Sequence, residues 1–339
     1  MSRSLRILIT GATGAVGPVV VQAFHDAGYA VRTLSLDQPP AGIWPDGVKT
    51  VTGDITDASV VREVMDGVDA VIHMAALLHM VHVSPEILEK YKKINVGGTS
   101  NVVNAAVEAG VKRIVLFSTI AVYGPSGGQI LTEDSTPCPD TLYAQTKLAA
   151  EQIVLNASGA DGQPLGTVLR FAAIYGSRIK GNYERLTHAL ANHRFIPIGN
   201  GLNRRTLIYD KDVGRAVVQA VFHPEAAGRL FNVTDGGFHT LNAIIEAICS
   251  GLGRRSPRLS LPVEPIRTLV RFMESGIRTA GFRSPVTAEM MDKYTEDIAL
   301  DGSLFQKKIG FMPQYDLKAG WKETILEMRQ VGGRQQTDL

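Results

Sequence analysis

The sequence is poor in features that mark several classes of protein. Its 339 residues include only two cysteines, Cys138 and Cys249, which lie far apart and in no metal-ligand spacing. This usage suits a reducing compartment and predicts no metal site. The formal net charge is only +2, and acidic and basic residues are spread along the chain rather than gathered in blocks. Such a balance predicts no nucleic-acid partner.

Long apolar runs are also missing. The most apolar window, residues 68–83, is interrupted by Asp69, His73, His79 and His82, and it falls short of the roughly 20 residues that a membrane span needs. The first ten residues lead directly into a strand pattern with no charged and apolar leader. We therefore expect a cytoplasmic protein that has no membrane partner.

What is present is a regular alternation of strand and helix patterns. Strands are predicted at 6–9, 30–36, 49–52, 70–73, 113–118 and 167–171, and long helices at 86–109 and 143–156. This rhythm predicts an α/β protein with a Rossmann-type, doubly wound parallel sheet, in which ligands bind beyond the carboxyl ends of the strands. With 45% hydrophobic residues, the chain can bury a sizeable core.

The pattern changes after residue 176. We predict a dinucleotide-binding domain over 1–176 to which 205–235 returns, a smaller and mostly α-helical substrate domain from 177–204 and 236–329, and a tail at 330–339. Residues 265–280 form an amphipathic helical pattern. We expect this helix to pack on its own domain or on a partner subunit, and a helix at a membrane surface is the alternative.

Three glycines spaced three residues apart follow the first strand, in the segment TGATGAVG at 10–17. Glycines allow a tight turn and a close approach of the backbone to a pyrophosphate, and the following helix offers unpaired N–H groups. The spacing differs from the usual dinucleotide fingerprint, in which the first two glycines are only two apart. The residues expected to bind the cofactor here are Gly11, Thr13, Gly14, Ala15, Val16 and Gly17.

The second and third strands end in further candidates for cofactor binding. The second ends with Ser35, Leu36 and Asp37, and a carboxylate at this place reads the ribose diol of NAD. Asp37 therefore slightly favours NAD, although the choice between NAD and NADP stays open. Asp54 and Ile55 follow the third strand, where Asp54 would bind the adenine amino group; a simple turn aspartate is the alternative.

Tyr143 and Lys147 open a predicted helix and share one face because they are four residues apart. A phenol has a pKa of about 10, so its use as a base near neutral pH requires about 4 kcal/mol of phenolate stabilisation. A neighbouring ammonium and an oxidised nicotinamide would provide it. Ser118 and Thr119 end the fifth strand, where a hydroxyl can hydrogen-bond a substrate oxygen.

Taken together, these segments resemble the extended short-chain dehydrogenase/reductase family, in its nucleotide-sugar epimerase, dehydratase and reductase branch. The resemblance covers nearly the whole chain. It rests on TGATGAVG at 10–17, GDI at 53–55, HMAA at 73–76, INVGGTSNVV at 94–103, FSTIAVYG at 117–124, YAQTK at 143–147, LRFAAIYG at 169–176 and IGFMP at 309–313.

The resemblance implies a role for each matching residue. Thr119 corresponds to the catalytic hydroxyl, Tyr143 to the acid/base, and Lys147 to the residue that binds the nicotinamide ribose and lowers the tyrosine pKa. Further cofactor contacts are implied for Ser118, Ala75, Ala76, Asn95 and Phe171. Substrate contacts are implied for Ser118, Tyr175, Asn182 and Arg205, of which Arg205 would bind the diphosphate of a nucleotide sugar because its guanidinium donates two parallel bonds. A solvated loop arginine is the alternative, and a homodimer is also expected.

The reaction is less closely specified. Dehydratases of this branch carry an Asp-Glu pair after the catalytic threonine, and Ile120-Ala121 stands there instead. The first expectation is an epimerase acting at C4 of a UDP-sugar, with a reductase of a UDP-4-keto sugar in polysaccharide biosynthesis second. A hydroxysteroid-type or other secondary-alcohol dehydrogenase is third, and a catalytically silent dinucleotide-sensing protein is the non-enzyme alternative.

Overall fold

The centre of the molecule is a seven-stranded parallel sheet. The computed structural model describes residues 4–78, 85–279 and 294–335. The strands of the sheet are β1 (Arg6–Thr10), β2 (Ala30–Ser35), β3 (Lys49–Thr52), β4 (Ala70–His73), β5 (Arg113–Thr119), β7 (Gly166–Phe171) and β11 (Arg229–Val233). Their order is β11-β7-β5-β4-β1-β2-β3. The order in which strands are added reverses between β1 and β4: β2 and β3 lie on one side of β1, and the later strands lie on the other. Doubly wound sheets bind their ligands at such a point.

Helices cover both faces of the sheet, as the predicted fold class requires. On one face α1 (Gly17–Asp26) and α7 (Asp210–Ala220) pack on Ile7 and Ile9. On the other, α2 (Ala58–Val64), α4 (Thr99–Glu108) and α5 (Leu142–Leu155) pack around Leu8. These strands therefore read as continuous apolar runs, because side chains of alternating direction are buried on both faces. The predicted fold class is confirmed.

The helix predicted over 86–109 is interrupted. It begins as α3 (Pro85–Tyr91), continues as a π-helical segment, Lys92–Gly98, and ends as α4. A Cβ at Gly98 would lie 2.5 Å from the Ile55 side chain, so the chain approaches closely here. The wider π turn places Asn95 in the interior, only 1% exposed. Single π turns of this kind are frequent at functional sites.

Most of the remaining elements form a smaller, mainly helical layer, whereas one of them, Ser303–Ile309, packs on the central sheet through Phe305 and Ile309. The remaining elements are α6 (Asn182–Ala191), α8 (Leu241–Leu252), α9 (Val263–Thr279), α10 (Ser303–Ile309) and α11 (Leu317–Gln335), with the short strands β6 (Ile130–Leu131), β8 (Ala173–Tyr175), β9 (Arg204–Arg205), β10 (Leu207–Tyr209), β12 (His239–Thr240) and β13 (Ala299–Leu300). The core of the smaller layer contains Trp321, Tyr175 and Tyr209. The short strands pair two by two, β8 with β10, β9 with β12 and β6 with β13.

Helix α9 is only partly covered by the rest of the chain. Val270 is 9% exposed, whereas Leu269, Phe272 and Met273 are 54%, 73% and 50% exposed. The expected packing on its own domain therefore accounts for one edge of the apolar face only. Among the described residues, no helix is both long and apolar enough to cross a membrane.

Candidate active site

The glycine-rich turn after β1 is closely packed. Gly11 has a φ of +71°, and a Cβ there would lie 2.7 Å from the backbone of Ala75. A Cβ on Gly17 would lie 1.8 Å from the carbonyl oxygen of Ala12. Both positions therefore exclude any side chain. Gly14 is exposed, and its Cβ would meet only the Gly11 carbonyl oxygen at 3.1 Å.

Helix α1 begins at this turn, where the Gly17 N–H donates to the Gly14 carbonyl at 3.1 Å and Pro18 has no N–H. Val16 occupies the N-cap position and supplies no side-chain cap. The first N–H groups of a helix lack intrahelical acceptors and attract anions, to which the helix dipole adds. The tight backbone and the uncapped helix fit the pyrophosphate of a dinucleotide, so the residues present are suited to NAD.

The candidates that follow β2 and β3 differ in what their side chains do. Ser35 is 3% exposed, and its hydroxyl accepts the N–H of Thr13 at 3.2 Å, so it fixes the glycine-rich turn. Asp37 is exposed just beyond the end of β2, and its contact with a ribose diol stays a prediction. Asp54 is exposed as well, and its Oδ1 accepts the N–H of Thr56 at 2.8 Å, which is the turn role considered above.

A buried chain of hydrogen bonds supports the loop after β4, residues 74–78, which we call the cofactor loop. His73 is 1% exposed, with Nδ1 2.7 Å from the Thr10 hydroxyl and Nε2 2.9 Å from the Thr99 hydroxyl. The Thr99 hydroxyl donates to the Asn95 carbonyl, so it accepts from Nε2–H of the histidine. Nδ1 then accepts from Thr10, whose oxygen also accepts the N–H of Ala75. These hydrogen bonds place the proton of the neutral His73 ring on Nε2. Burial, together with the charge of Lys147, lowers the pKa of His73 to about 3.

Asn95 joins the cofactor loop to helix α5. Its Oδ1 accepts the N–H of Leu77 at 2.7 Å, and its Nδ2 donates to the Leu77 carbonyl at 3.1 Å. The same Nδ2 lies 3.1 Å from the Thr146 hydroxyl. These bonds use Oδ1 and both hydrogens of Nδ2, so the buried Asn95 side chain holds the loop that carries Ala75 and Ala76.

Helix α5 presents Tyr143 in its first turn and Lys147 one turn later. Thr141 caps the helix by accepting the N–H of Ala144 at 3.2 Å. Lys147 is 3% exposed; burial lowers its pKa to about 8, and Glu151 opposes this shift. Burial, with a smaller effect of Tyr91, raises the pKa of Tyr143 to about 12. Desolvation is the largest cause of this shift, and the lowering of the phenol pKa by Lys147 stays a prediction.

Ser118 differs from its expected role. Its hydroxyl donates to Oε1 of Glu151 and is directed into the interior instead of towards a substrate. Glu151 is completely buried and also accepts two bonds from Arg170, at 2.9 Å from Nε and 2.6 Å from Nη2. The network explains how a carboxylate can be buried here, since each oxygen has a charged partner.

Glu151 and Arg170 form a buried ion pair that could not be identified from the sequence alone. The available signal was spacing, because Glu151 lies four residues after Lys147 on α5 and Arg170 lies in the LRFAAIYG segment. Pairing β5 with β7 places Arg170 opposite Ser118. Only the strand register brings these groups together.

The catalytic role expected for Thr119 stays a prediction, and the structure shows its surroundings. It ends β5, and its Oγ1 accepts the N–H of Ala121 at 3.2 Å, which leaves the hydroxyl hydrogen to donate. Phe171 pairs with Thr119 across the sheet and packs on Phe117, with 4.6 Å between ring centroids.

Tyr175 departs from expectation: it is 1% exposed and stacks on Trp321, so its side chain belongs to the core and does not line the entrance.

The other two predicted substrate contacts, Asn182 and Arg205, lie in the smaller layer. Asn182 is exposed at the first position of α6. Arg205 is half-buried in β9, and its Nη2 donates to the Tyr294 carbonyl at 2.9 Å. Its charge lowers the pKa values of Tyr183 and Tyr294 against the larger effect of burial. Arg205 is thus partly buried and bonded to the backbone, in contrast to a solvated loop arginine.

A family model described as the NAD dependent epimerase/dehydratase family matches residues 7–234. The chain belongs to this family. As a member of it, the protein is an NAD-dependent enzyme of the extended short-chain dehydrogenase/reductase type, and the predicted resemblance is confirmed.

Curated relatives are similar to this chain over nearly its whole length, and a solved structure shares its fold. The chain is 25% identical to UDP-glucose 4-epimerase of Vibrio cholerae, with 97% of each chain covered. It is 27% identical to a 3 beta-hydroxysteroid dehydrogenase/Delta 5-->4-isomerase of Mycobacterium tuberculosis strain H37Rv, covering 94% of this chain and 89% of the relative. The structure of MoeE5 in complex with UDP-glucose and NAD superposes with a TM-score of 0.75 at 24% identity, covering 96% of this chain and 99% of that one.

Proposed function

We propose that this enzyme is an epimerase that inverts a secondary alcohol centre of a nucleoside-diphosphate sugar, at C4 of a UDP-sugar. The observation that carries the proposal is the placement of Arg205, half-buried beside Tyr183 and Tyr294 on the substrate side of an enzyme whose α5 carries Tyr143 and Lys147. A guanidinium held in this way suits a diphosphate. An apolar alcohol would leave it without a function.

The glycine-rich turn would hold the cofactor pyrophosphate, and Asp37 would bind its adenine ribose as NAD. When bound, NAD supplies a hydride acceptor that can return the hydride it has taken. The proposal includes a homodimer in the cytoplasm, as expected from the sequence, without a metal.

The residues of the chain would manage the proton at the substrate hydroxyl. Tyr143 would accept that proton and give it back, and Thr119 would donate a hydrogen bond to the same oxygen. Because the pKa of Tyr143 is raised to about 12, forming phenolate at pH 7 costs about 7 kcal/mol without further help. The Lys147 ammonium, one helical turn away and sheltered from water, favours the phenolate. With a pKa of about 8, Lys147 is mostly protonated at neutral pH.

A second candidate is reduction of a UDP-4-keto sugar in polysaccharide biosynthesis. It uses the same Thr119, Tyr143 and Lys147 but exchanges its cofactor, as NADPH, in each cycle. The segments KGNYERL at 180–186 and NRRTLIY at 203–209 are similar to those of such reductases. Both segments belong to the layer that contains Arg205.

The test is to incubate the purified enzyme with a panel of UDP-hexoses and NAD, and to follow both sugar configuration by NMR and reduced nicotinamide by absorbance. We expect one sugar to be converted to its C4 epimer without net change of the cofactor. Consumption of NADPH in proportion to product from a 4-keto sugar would instead support the reductase. Turnover of a steroid alcohol, with none of any nucleotide sugar, would overturn the proposal. The Tyr143→Phe variant controls for contaminating activity.

A further inference from the structure

The segment that contains α9 is the most basic part of the chain. Residues 254–279 include six arginines and two glutamates, with no lysine or aspartate, and so carry a formal charge of +4. The whole chain carries only +2, so all other residues together are slightly acidic. The even spread of charge expected from the sequence does not hold for this segment. Arg254, Arg255, Arg258 and Arg271 are exposed.

The same segment exposes large apolar side chains. Leu269, Phe272 and Met273 are 54%, 73% and 50% exposed, and Leu259 in the preceding loop is 82% exposed. Residues three and four apart lie on one face of a helix, so the three α9 side chains form one patch. Single exposed apolar residues are ordinary on protein surfaces, but a contiguous patch marks an interaction site.

The combination of charges and apolar groups discriminates between occupants. A twofold interface with a second copy would place the same patch on both sides and bring two arginine-rich segments together. Nucleic acid would pair with the arginines but leave Phe272 and its neighbours in water. An anionic lipid surface satisfies both, because apolar side chains enter the acyl boundary while arginines contact the headgroups. We propose that the surface formed by residues 254–262 and α9 docks on an anionic lipid bilayer.

The position of this surface connects it with the substrate side of the enzyme. The Leu261 N–H donates to the Pro197 carbonyl at 2.9 Å, and its carbonyl accepts the N–H of Gly199 at 2.8 Å. A Cβ on Gly199 would lie 3.0 Å from the Val263 side chain. The start of α9 is therefore attached to the loop that leads to Arg205. Docking would bring that loop to the lipid surface, whichever alcohol the enzyme converts.

Vesicle flotation of the full-length enzyme tests the proposal directly. We expect the enzyme to float with vesicles of phosphatidylcholine and phosphatidylglycerol, not with phosphatidylcholine alone, and to be released by high salt. Phe272→Glu combined with Met273→Glu should reduce binding at least tenfold. Each of Arg255→Glu, Arg258→Glu and Arg271→Glu should reduce it by about fivefold or more, the effect of one cationic side chain near such a surface.

Matched controls use exposed residues elsewhere. Val107→Glu on α4 and Lys318→Glu on α11 make the same chemical changes at exposed sites away from α9 and should leave binding unchanged. A Phe272→Trp variant should show, over the wild-type signal, a blue shift with the anionic vesicles only. The proposal is overturned if the wild type does not float with anionic vesicles or if the double variant binds as well as the wild type. It is also overturned if the wild type binds no lipid and sedimentation shows that the double substitution dissociates a dimer, because the surface would then be a subunit interface.

Discussion

The cofactor side and the substrate side of the site are held in different ways. On the cofactor side, Thr10, His73, Thr99 and Asn95 form an almost completely buried hydrogen-bond chain that links the sheet to the π-helical segment. On the substrate side, Arg205 is half-buried and is held by a backbone carbonyl 89 residues away. The loop after β4 is thus fixed by buried hydrogen bonds, whereas Arg205 lies on a two-residue strand between loops, which can change more readily.

The largest expected effect is on the cofactor side. Tyr143→Phe removes the proposed proton carrier and should lower kcat about a thousandfold, a typical contribution of acid and base catalysis. Tyr183→Phe makes the same change beside Arg205 and should leave kcat within the same order of magnitude. Steady-state kinetics with the identified substrate compare the two variants. Equal kcat values for Tyr143→Phe and the wild type would remove Tyr143 from the proposed chemistry.

Glu151→Gln removes one charge of a buried ion pair, and Asp297→Asn makes the matching change in a half-buried pair. Glu151 and Arg170 are 0% and 3% exposed, and loss of one partner leaves a buried charge, so the free energy of unfolding should fall by about 3–5 kcal/mol. Asp297→Asn breaks the pair with Arg204 on the substrate side, where side chains are 27% and 33% exposed, and should cost about 1 kcal/mol or less. Urea unfolding measures both.

A double variant tests this explanation. Glu151→Gln combined with Arg170→Met should recover much of the lost stability, since no unpaired charge remains. If the double variant is as unstable as the sum of the two single variants, the buried charge is not the cause.

On the substrate side, Arg205→Ala should raise KM for a nucleotide sugar about 10-fold to 100-fold with little change in kcat, as for loss of one charged hydrogen-bond partner. Arg204→Ala changes the adjacent arginine, which pairs with Asp297, and should lower stability more than affinity. Calorimetric titration with the substrate measures the affinity of both variants, and urea unfolding measures their stability. An unchanged affinity in Arg205→Ala would contradict the diphosphate role.

On the cofactor side, stability in acid should depend on His73. His73 is held neutral, with a pKa of about 3 in the folded protein against an ordinary 6.5. Between these values the unfolded chain binds the additional proton, so stability should fall as pH falls below 6.5, by up to about 1.4 kcal/mol per pH unit. His73→Gln should flatten this dependence, whereas His188→Gln, at an exposed site on α6, should not. Urea midpoints from pH 7 to pH 4 provide the measurement.

Much of the cofactor side could be predicted from the sequence because its signals are local. The glycine-rich turn needs only residues 10–17 and their neighbouring strand and helix, and Tyr143 and Lys147 need only helical spacing. The buried strands were recognised by their apolar runs. The fold class followed from the order of these elements.

What could not be predicted depends on pairing between distant segments. Ser118 faces Glu151 because the register of β5 and β7 brings Arg170 next to both. Tyr175 is buried because α11 places Trp321 on its ring. The π turn around Asn95 was also missed, since it keeps the apolar pattern of an ordinary helix. In each case the chemical type of the residue was compatible with a site, and packing decided otherwise.

The glycine-rich turn separates tolerance in folding from tolerance in activity. If every amino acid were tried at Gly11, Gly14 and Gly17, the outer two positions should reject all replacements in a screen for intact protein, because a methyl group there overlaps the backbone. At Gly14, small residues should still yield folded protein and yet fail a screen for dinucleotide retention. The turn would therefore contain one position that is fixed by cofactor binding alone, between two that are already fixed by folding.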